Sequence, residues 1–302
     1  MKARFQYPDM PALPPRPAFC AGIQAPVRKL SGSWRARAAE EAEFYAATAE
    51  SANRAFETVT VPIDMATRCK DTPAYRERYV LQTEIALPED MRGKNLWLYF
   101  EAVNGAAKVY VDGQPAAEHI GGFVAWAADI TAHAAGKERV RLAVAVDETA
   151  ERVSSFSHGG IIRDVWLYAF PDAYFTGLRA RTRFDMRFCD AVLELRACIA
   201  GHADGARVHV GLRDQFGAQA AECSVAAEDA SCFELAVPAP RKWDAEHPSL
   251  YMAEVSLVAP DGRILETICQ QIGFRQIQRA GNLLLVNGKP VKLRGVCRHE
   301  VT

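Results

Sequence analysis

Apolar and polar residues alternate with a period of two along most of the chain. The clearest runs are YRERYVLQTEIAL, which starts at Tyr75, then LWLYFEAV, RVRLAVAVDE and IIRDVWLYAF, and similar runs continue to about Arg275. Because a strand buries one face and exposes the other, this pattern predicts short β-strands. Strands of this length with turn residues between them are typical of β-sandwiches, so the fold class predicted is all-β.

Glycine-containing pairs mark turns between these runs. Asp112-Gly113 follows one strand, Asp261-Gly262 lies between two later ones, and Asn287-Gly288 separates the apolar runs Leu283–Val286 and Val291–Val296. Both central residues of a type I′ turn have positive φ, which Asn, Asp and Gly tolerate best. Hairpins are therefore expected at these pairs.

One segment fits two structures. The run Trp34–Ala52 is rich in Ala and Glu and is compatible with a helix, but equally with a strand followed by a loop. No glycine-rich loop precedes an amphipathic helix anywhere in the chain, so a nucleotide-binding α/β fold is not supported.

The strand runs divide at Pro171-Asp172. The 275 − 172 = 103 residues that follow, 173–275, are close to the roughly 100 residues of an immunoglobulin-like sandwich. Residues 1–172 are assigned to a first sandwich domain, and the segment PAPRKWDAEHPSL, from Pro238 to Leu250, to an exposed connection.

Charge and cysteine usage exclude several functions. The net charge of −1 and the isoelectric point near 6.7 provide no field that would recruit nucleic acid or an anionic membrane. Arg179, Arg181 and Arg183, with Arg187 nearby, are best explained as the solvated face of a strand.

The eight cysteines form no C-x-x-C pair and no tight Cys/His cluster, so neither a metal nor a cofactor is predicted. No signal-peptide-like or membrane-spanning apolar run occurs in the sequence. Free thiols in a reducing cytoplasm are the resulting expectation.

Four motifs occur in a fixed order from Tyr75 to the C-terminus. They are LWLYFEAVNGAAKVYVDGQPAAEHIGGFVAWAADIT, then GGIIRDVWLYAFP (Gly159–Pro171), then KWDAEHPSLYMAEVSL, and finally GFR, NGKP and RGVCRHE between Gly273 and Glu300. Together they resemble family 2 glycoside hydrolases, the family of β-galactosidases, β-glucuronidases and β-mannosidases. Each motif alone is weak, but four in order with the expected spacing are specific.

The resemblance implies a sugar-binding jelly-roll-like β-sandwich at 1–172, an immunoglobulin-like β-sandwich at 173–275, and a hairpin with the first strand of a (β/α)₈ barrel at 276–302. A barrel needs roughly 250 residues, and only 302 − 275 = 27 follow Arg275. The expectation is therefore the N-terminal, non-catalytic portion of a retaining, β-galactosidase-like β-glycosidase. Without its partner strands, Leu283–Val296 is expected to be disordered, to fold back on the sandwiches or to pair with another copy.

The family's catalytic carboxylates are two glutamates, one of them in an Asn-Glu pair. No Asn-Glu pair occurs in this sequence, and Glu300 is the sole carboxylate of residues 276–302. Retaining hydrolysis needs two carboxylates about 5–5.5 Å apart. No catalytic residue is predicted, and the chain is expected to be inactive alone.

The resemblance does imply residues at the rim of a sugar pocket in the intact fold. These are Ser154, His158, Arg298, His299 and Glu300. Ser154 stands six residues before Gly160, where some family members have an aspartate, and Cys297 stands where the family usually has asparagine. The departure at Ser154 puts strict galactosidase or glucuronidase specificity in question, and the smaller, less polar Cys297 loses hydrogen bonds that asparagine would make.

Several prominent residues also have plain structural explanations. Gly159 and Gly160 suit a tight bend, Arg163 and Asp164 suit an ion pair or loop anchor, and His119 suits a hydrogen-bonded polar group. The tryptophans could stack on sugars but are more often core or inter-domain anchors; they are Trp97, Trp126, Trp166 and Trp243.

Two other function classes compete with the glycosidase portion. One is a stand-alone carbohydrate-binding module without hydrolase activity, and the other is a β-sandwich pair for protein–protein contact. The NGKP-to-RHE tail favours the glycosidase portion, because neither alternative has a use for a barrel strand. The expected partner is carbohydrate, with neither nucleic acid nor membrane, and homo-oligomerisation is left open.

Overall fold

The protein is described by a computed structural model that covers residues 26–39, 56–65, 78–148, 159–202 and 204–297. The described part is almost entirely β-structure, which confirms the predicted fold class. It forms two compact units, one ending at Asp172 and the other starting at Ala173. No helix among the described residues is long and apolar enough to cross a membrane.

The first unit contains eleven strands within the described residues. They are β1 Val27–Lys29, β2 Gly32–Ala38, β3 Glu57–Val61, β4 Arg78–Ala86, β5 Asn95–Phe100, β6 Val103–Val111, β7 Gln114–Gly121, β8 Trp126–Asp129, β9 Arg139–Asp147, β10 Gly160–Ile161 and β11 Val165–Phe170. A 3₁₀ helix, Glu89–Met91, and a short helix α1, Thr131–Ala134, join strands. One sheet has the order β1-β11-β5-β8, and the other the order β10-β6-β9-β4-β2-β3 with β7 paired to β6.

The core of the first unit follows from the alternation in the sequence. In β5, Leu96, Leu98 and Phe100 are buried, while the residues between them are half-buried on the opposite face. Inward residues of β9, such as Leu142 and Val144, belong to the same cluster. Full burial of such a side chain stabilises the fold by about 1.5–3 kcal/mol.

The segment Trp34–Ala52 begins as a strand, so its interpretation as a helix is wrong for residues 34–38. Trp34, Ala36 and Ala38 belong to the core cluster at alternate positions, although Arg37 is also buried, and β2 is hydrogen-bonded to both β3 and β4. Sheet pairing outweighs the helix propensity of alanine here. The alternative of a strand followed by a loop is right for its strand; residues 40–52 lie outside the described residues.

The second unit is a sandwich of two antiparallel sheets. Its strands are β12 Ala173–Phe184, β13 Ala191–Gly201, β14 Arg207–Arg213, β15 Gln219–Ala226, β16 Ala230–Val237, β17 Tyr251–Val258 and β18 Ile264–Ile272. The sheets have the orders β12-β13-β16 and β15-β14-β17-β18. Residues 238–250 contain no strand, as predicted, and only isolated bridges interrupt them.

The edge strands β12 and β18 are linked by a buried carboxylate. Glu266 is fully buried and accepts a hydrogen bond of 2.8 Å from the Phe175 amide. On the outer face of β12, Arg179, Arg181 and Arg183 are exposed at alternate positions, which confirms the predicted solvated strand face.

The predicted turns are present. Asp112 and Gly113 have φ of 49° and 82° between β6 and β7, and Asn287 and Gly288 have φ of 50° and 75°. Asp261-Gly262 lies in the loop that joins β17 to β18 as a hairpin.

A three-stranded meander closes the described chain. It consists of β19 Ile277–Ala280, β20 Leu283–Val286 and β21 Lys289–Pro290. The predicted strand Val291–Val296 is wrong, since residues 291–297 have no regular structure. Pro290 has no amide hydrogen for the ladder, and Leu293 and Val296 are 83% and 91% exposed, so no burial stabilises a strand there.

Candidate functional site

The five predicted pocket residues lie outside the described residues. Ser154 and His158 fall in the gap between 148 and 159, and Arg298, His299 and Glu300 follow residue 297. Their positions therefore remain predictions. The structure does define the residues on either side of the 149–158 segment: the end of β9 precedes it, and the start of β10 follows it.

The bend at Gly159-Gly160 is held by the segment after β3. The Ile63 amide donates to the Ile161 carbonyl at 2.8 Å, and the Met65 amide donates to the Gly159 carbonyl at 2.7 Å. The Gly159 amide donates to Asp64 Oδ1 at 3.1 Å. Three hydrogen bonds thus fix the chain where the 149–158 segment returns to the sheet.

Both glycines are required by close packing. Gly160 has a φ of 108°, and a Cβ there would lie 2.9 Å from the Ile63 carbonyl oxygen and 3.4 Å from the Tyr79 hydroxyl. A Cβ on Gly159 would overlap the Glu148 carboxylate. The prediction that these glycines permit a tight bend before a buried strand is confirmed.

Buried carboxylates occupy the other end of the same segment. Glu148 is 6% exposed and accepts a hydrogen bond of 2.5 Å from the Tyr79 hydroxyl. Asp147 is also 6% exposed and pairs with Arg78 Nε at 2.7 Å. A buried carboxylate needs such donors because its transfer out of water costs several kcal/mol when no hydrogen bond or ion pair compensates it.

Sequence reasoning missed the contact between Tyr79 and Glu148, which are 69 residues apart. The signal available was the acidic pair Asp147-Glu148 at the end of an alternating strand, with ten residues, 149–158, between it and the glycine motif. Chemically, the contacts of Asp147 and Glu148 can anchor the chain just before residue 149, and the Gly159 hydrogen bond to Asp64 can anchor it just after residue 158. The acidic pair is engaged by Arg78 and Tyr79, so the arrangement suits positioning rather than bond cleavage.

Three rings, from β5, β7 and β8, stack on one another inside the first unit. Trp126 packs on Phe100, with centroids 4.5 Å apart and 16° between planes, and on His119 at 4.8 Å and 11°. Trp126 and His119 are each 5% exposed. Trp126 is therefore a core residue, and His119 is a buried ring rather than an exposed ligand-facing group.

Two of the other tryptophans carry a cation on one face. Lys29 Nζ lies 5.5 Å from the Trp166 ring centroid, and Arg275 Cζ lies 4.5 Å from that of Trp243. Trp166 also donates to Glu101 Oε1 at 2.9 Å. Neither ring offers that face as an open sugar platform.

Asp164 is a loop anchor, as predicted. Its carboxylate accepts from Ser31 Oγ at 2.8 Å and pairs with Lys29 Nζ at 2.7 Å. Burial raises the pKa of Asp164, but hydrogen bonds from Lys29 and Ser31 and the Lys29 charge lower it by more, so the pKa lies below its usual value.

Asp164→Asn is expected to destabilise the first unit by up to about 1 kcal/mol at neutral pH. Because the folded-state pKa is lowered, the stabilisation is present above the unfolded-state pKa and is lost as pH falls through the folded-state value. In urea titrations, the difference between wild type and variant should be constant above about pH 5 and shrink below pH 4. Asp172→Asn, at an exposed position, is the control; a difference independent of pH would contradict the ion pair.

The described part of the chain thus folds as two consecutive β-sandwiches, the first of which carries a glycine bend framed by buried carboxylates. The family model for the sugar binding domain of glycosyl hydrolases family 2 matches residues 33–171, and a second model of that family matches residues 176–275. The chain belongs to glycosyl hydrolases family 2.

Proteins with similar sequences carry glycosidase names. A provisionally named beta-glucuronidase of Formosa agariphila is 31% identical over 229 residues, covering 72% of this chain and 27% of that protein. A beta-galactosidase of Halalkalibacterium halodurans is 28% identical over 221 residues, covering 71% and 22%. The chain thus spans about a quarter of the length of these relatives.

Solved structures show the same fold. The beta-glucuronidase of Ruminococcus gnavus in complex with D-glucuronic acid superimposes with a TM-score of 0.78 at 23% identity, covering 96% of this chain and 52% of that one. Its complex with uronic isofagomine gives a TM-score of 0.77 over 91% and 48%. At this identity the likeness establishes the fold alone.

Proposed function

We propose that the chain is the non-catalytic N-terminal portion of a retaining β-glycosidase that hydrolyses O-glycosyl bonds in the manner of β-galactosidases. The observation that carries the proposal is the order of the two family matches, 33–171 and 176–275, followed directly by the meander at 277–290. The names of the relatives, a beta-glucuronidase and a beta-galactosidase, support a β-glycoside as the substrate.

The carboxylates of this chain support a non-catalytic role. Retaining hydrolysis needs an acid/base and a nucleophile about 5–5.5 Å apart, and the sequence contains no Asn-Glu pair. Within the described residues, the acids around the glycine bend are engaged: Glu148 accepts from Tyr79, Asp147 pairs with Arg78, and Asp64 accepts from the Gly159 amide. The proposed role is to support the rim of a pocket completed elsewhere.

The anchored 149–158 segment is the proposed contribution of the first unit to that rim. It carries Ser154 and His158, and its two ends are fixed by Glu148 and Gly159.

The second candidate is a stand-alone carbohydrate-binding module, favoured by the match of the first unit to the family's sugar binding domain. The two candidates predict different activities for a protein extended past residue 302. The glycosidase portion predicts hydrolysis once the reading frame is extended, whereas the module predicts sugar binding with no hydrolysis in either form.

Nitrophenyl β-galactoside and β-glucuronide are expected to show no turnover above the blank with this chain. The matched sample is the product of the same gene expressed together with any open reading frame that continues past codon 302. Turnover is expected in that extended product. Hydrolysis by the 302-residue chain that survives repurification and follows the protein peak would contradict the non-catalytic role. Binding without hydrolysis in the extended sample would favour the module.

A cytoplasmic location is part of the proposal. Cys189, Cys198, Cys223, Cys232 and Cys297 are free thiols in the structure, and thiols persist in reducing compartments. Differential alkylation tests it: thiols that are free in the cell are blocked during isolation, and a cysteine that becomes reactive only after reduction was oxidised, which would argue for another compartment. Light scattering tests whether the chain forms homo-oligomers.

A further inference from the structure

Strand β12 forms a free edge of its sheet in the second unit. It pairs with β13 on one side, and no strand of the described residues pairs with its other side. The Phe184 amide points to that free side, because it donates to Gln276 Oε1 at 2.8 Å. Alternate residues of an antiparallel strand direct their backbone groups to the same side. The amides and carbonyls of Ala180 and Thr182 therefore also face away from β13.

This free edge is open in its middle part. At one end Glu266 accepts a hydrogen bond from the Phe175 amide, and at the other end the Phe184 amide is also satisfied. Between them, the outward backbone groups of Ala180 and Thr182 have no hydrogen-bond partner in the part of the chain that the structure describes. Both residues are half-buried and line a cleft of about 670 Å³. The middle of the edge thus presents backbone donors and acceptors to an open space, which is a template for pairing with another chain.

Arginines follow this edge at every second residue. Arg179, Arg181 and Arg183 are exposed on the outer face of β12, about 6.6–6.8 Å apart along the strand. Arg183 Nε pairs with Glu194 Oε1 at 3.0 Å, whereas Arg179 and Arg181 form no ion pair with any described carboxylate. No described aspartate or glutamate lines the cleft.

The charge of the edge selects its partner. A second copy of β12 would place arginines opposite arginines, and like charges directly opposite each other destabilise a strand pair. An added strand with aspartate or glutamate opposite Arg179 and Arg181 would instead form cross-strand ion pairs. The charge pattern therefore excludes self-pairing of this edge and favours an acidic strand.

We infer that β12 accepts an acidic, extended segment of another protein as an added strand. A strand about 4.7–4.9 Å from β12 bonds its backbone to Ala180 and Thr182. Its acidic residues lie at alternate positions, opposite the arginines. The residues between them face the cleft, which Trp243 and Leu250 line, so these positions take uncharged side chains. The family matches and the relatives' names assign no partner to this edge, and the added strand is independent of the proposed glycoside hydrolysis.

Fluorescence anisotropy with the 302-residue chain tests the added strand. The probe is a fluorescein-labelled nonapeptide in which glutamate and threonine alternate, with glutamate at both ends. It is expected to bind, and more weakly as salt is raised. A block peptide with all glutamates before all threonines should bind roughly fivefold or more less tightly, because its charges no longer match the arginine spacing. A peptide with lysine in place of glutamate should not bind. Binding of either control peptide as tight as that of the alternating acidic peptide would overturn the acidic added strand, as would no binding of the latter at millimolar concentration.

A proline placed on the edge tests where the strand adds. In Ala180→Pro the ring replaces the outward amide hydrogen, and an edge strand tolerates this because that amide makes no ladder bond. Peptide binding should fall about tenfold or more. The matched control is Ala236→Pro on β16, the opposite edge of the same sheet. The Ile199 amide donates to the Asp229 carbonyl, so by alternation the Ala236 amide also faces outward. Equal effects of the two prolines would overturn β12 as the site.

Charge and backbone recognition are separated by one protein variant and two modified peptides. Arg181→Gln should weaken binding roughly three- to fivefold, the effect of one exposed ion pair, while Arg187→Gln, in the hairpin beyond the edge, should leave it unchanged. Threonines of the added strand share the face of Ala180, so their amides point to β12. N-methylation of the threonine amides should therefore abolish binding, and N-methylation of the glutamate amides should leave most of it. Far-ultraviolet circular dichroism and melting confirm that each variant is folded. Equal loss with either methylated peptide, or equal effects of the two arginine variants, would contradict strand addition at this edge.

Discussion

Gly160→Ala is expected to destabilise the first unit by roughly 2–5 kcal/mol. Gly160 has a φ of 108°, which side-chain-bearing residues rarely adopt, and the added Cβ would lie 2.9 Å from the Ile63 carbonyl oxygen. That oxygen belongs to a backbone segment pinned by the Ile63 and Met65 hydrogen bonds, so it cannot withdraw cheaply. The cost combines backbone strain with overpacking.

Gly136→Ala is the matched control for Gly160→Ala. Gly136 also has a positive φ, 71°, but nothing lies within 4 Å of its Cβ position, so about 1–2 kcal/mol of strain is expected. Hydrogen exchange measured by mass spectrometry distinguishes the units. Peptides from β6 and β10 should lose protection in Gly160→Ala, with the second unit unchanged. Equal effects of the two substitutions would show that the close approach to Ile63 is not limiting.

Gly288→Ala is expected to release the meander β19–β21 from the second unit. The added Cβ would lie 2.7 Å from the Phe188 ring, at a residue with a φ of 75°. The preceding Asn287 ties the turn to the sandwich: its side chain accepts from the Gln276 amide at 2.9 Å and donates to the Trp243 carbonyl at 3.0 Å. Displacing the turn strains both hydrogen bonds, about 0.5–1.5 kcal/mol each.

Gly281→Ala provides the comparison within the same meander. Gly281 has a φ of 59° and an open Cβ position, so the substitution brings strain without a collision. Limited tryptic proteolysis at Arg279 and Lys292 should be about tenfold or more faster in Gly288→Ala than in Gly281→Ala, provided that local opening limits cleavage. Equal cleavage rates would mean that the contact with Phe188 does not hold the meander in place.

The packing of Asn287-Gly288 also bears on the expectation for Leu283–Val296. Of the three outcomes expected, folding back on a sandwich describes the turn, which contacts Phe188 and Trp243 of the second unit. It does not describe the whole segment, because Leu293 is 83% exposed. The apolar pattern alone could not separate these two parts, since it records hydrophobicity and not the position of a contact surface.

Local signals predicted the strands and the turns well. Alternation in β5 and the positive-φ pairs Asp112-Gly113 and Asn287-Gly288 depend on neighbouring residues, which the sequence displays directly. The division near Asp172 was visible because strand runs break at Pro171. The sequence left helix and strand open at Trp34–Ala38 because alanine favours helices locally, whereas pairing with β3 and β4 decided the outcome.

Contacts between distant strands were beyond sequence reasoning. The hydrogen bond from Tyr79 to Glu148 requires β4 and β9 to be neighbours in one sheet, and alternation does not reveal strand order. Fully buried Glu266 could not be expected from a pattern that assigns acids to the surface.

The anchored turn at Asn287-Gly288 has a practical consequence for protein engineering. The seven residues from Val291 to Cys297 form no regular structure, and a fully extended chain spans at most about 3.3–3.6 Å per residue. A fluorophore or fusion partner attached at Cys297 therefore stays within about 25 Å of Pro290. A distance label placed there would report the position of the second unit to within the length of that short tether.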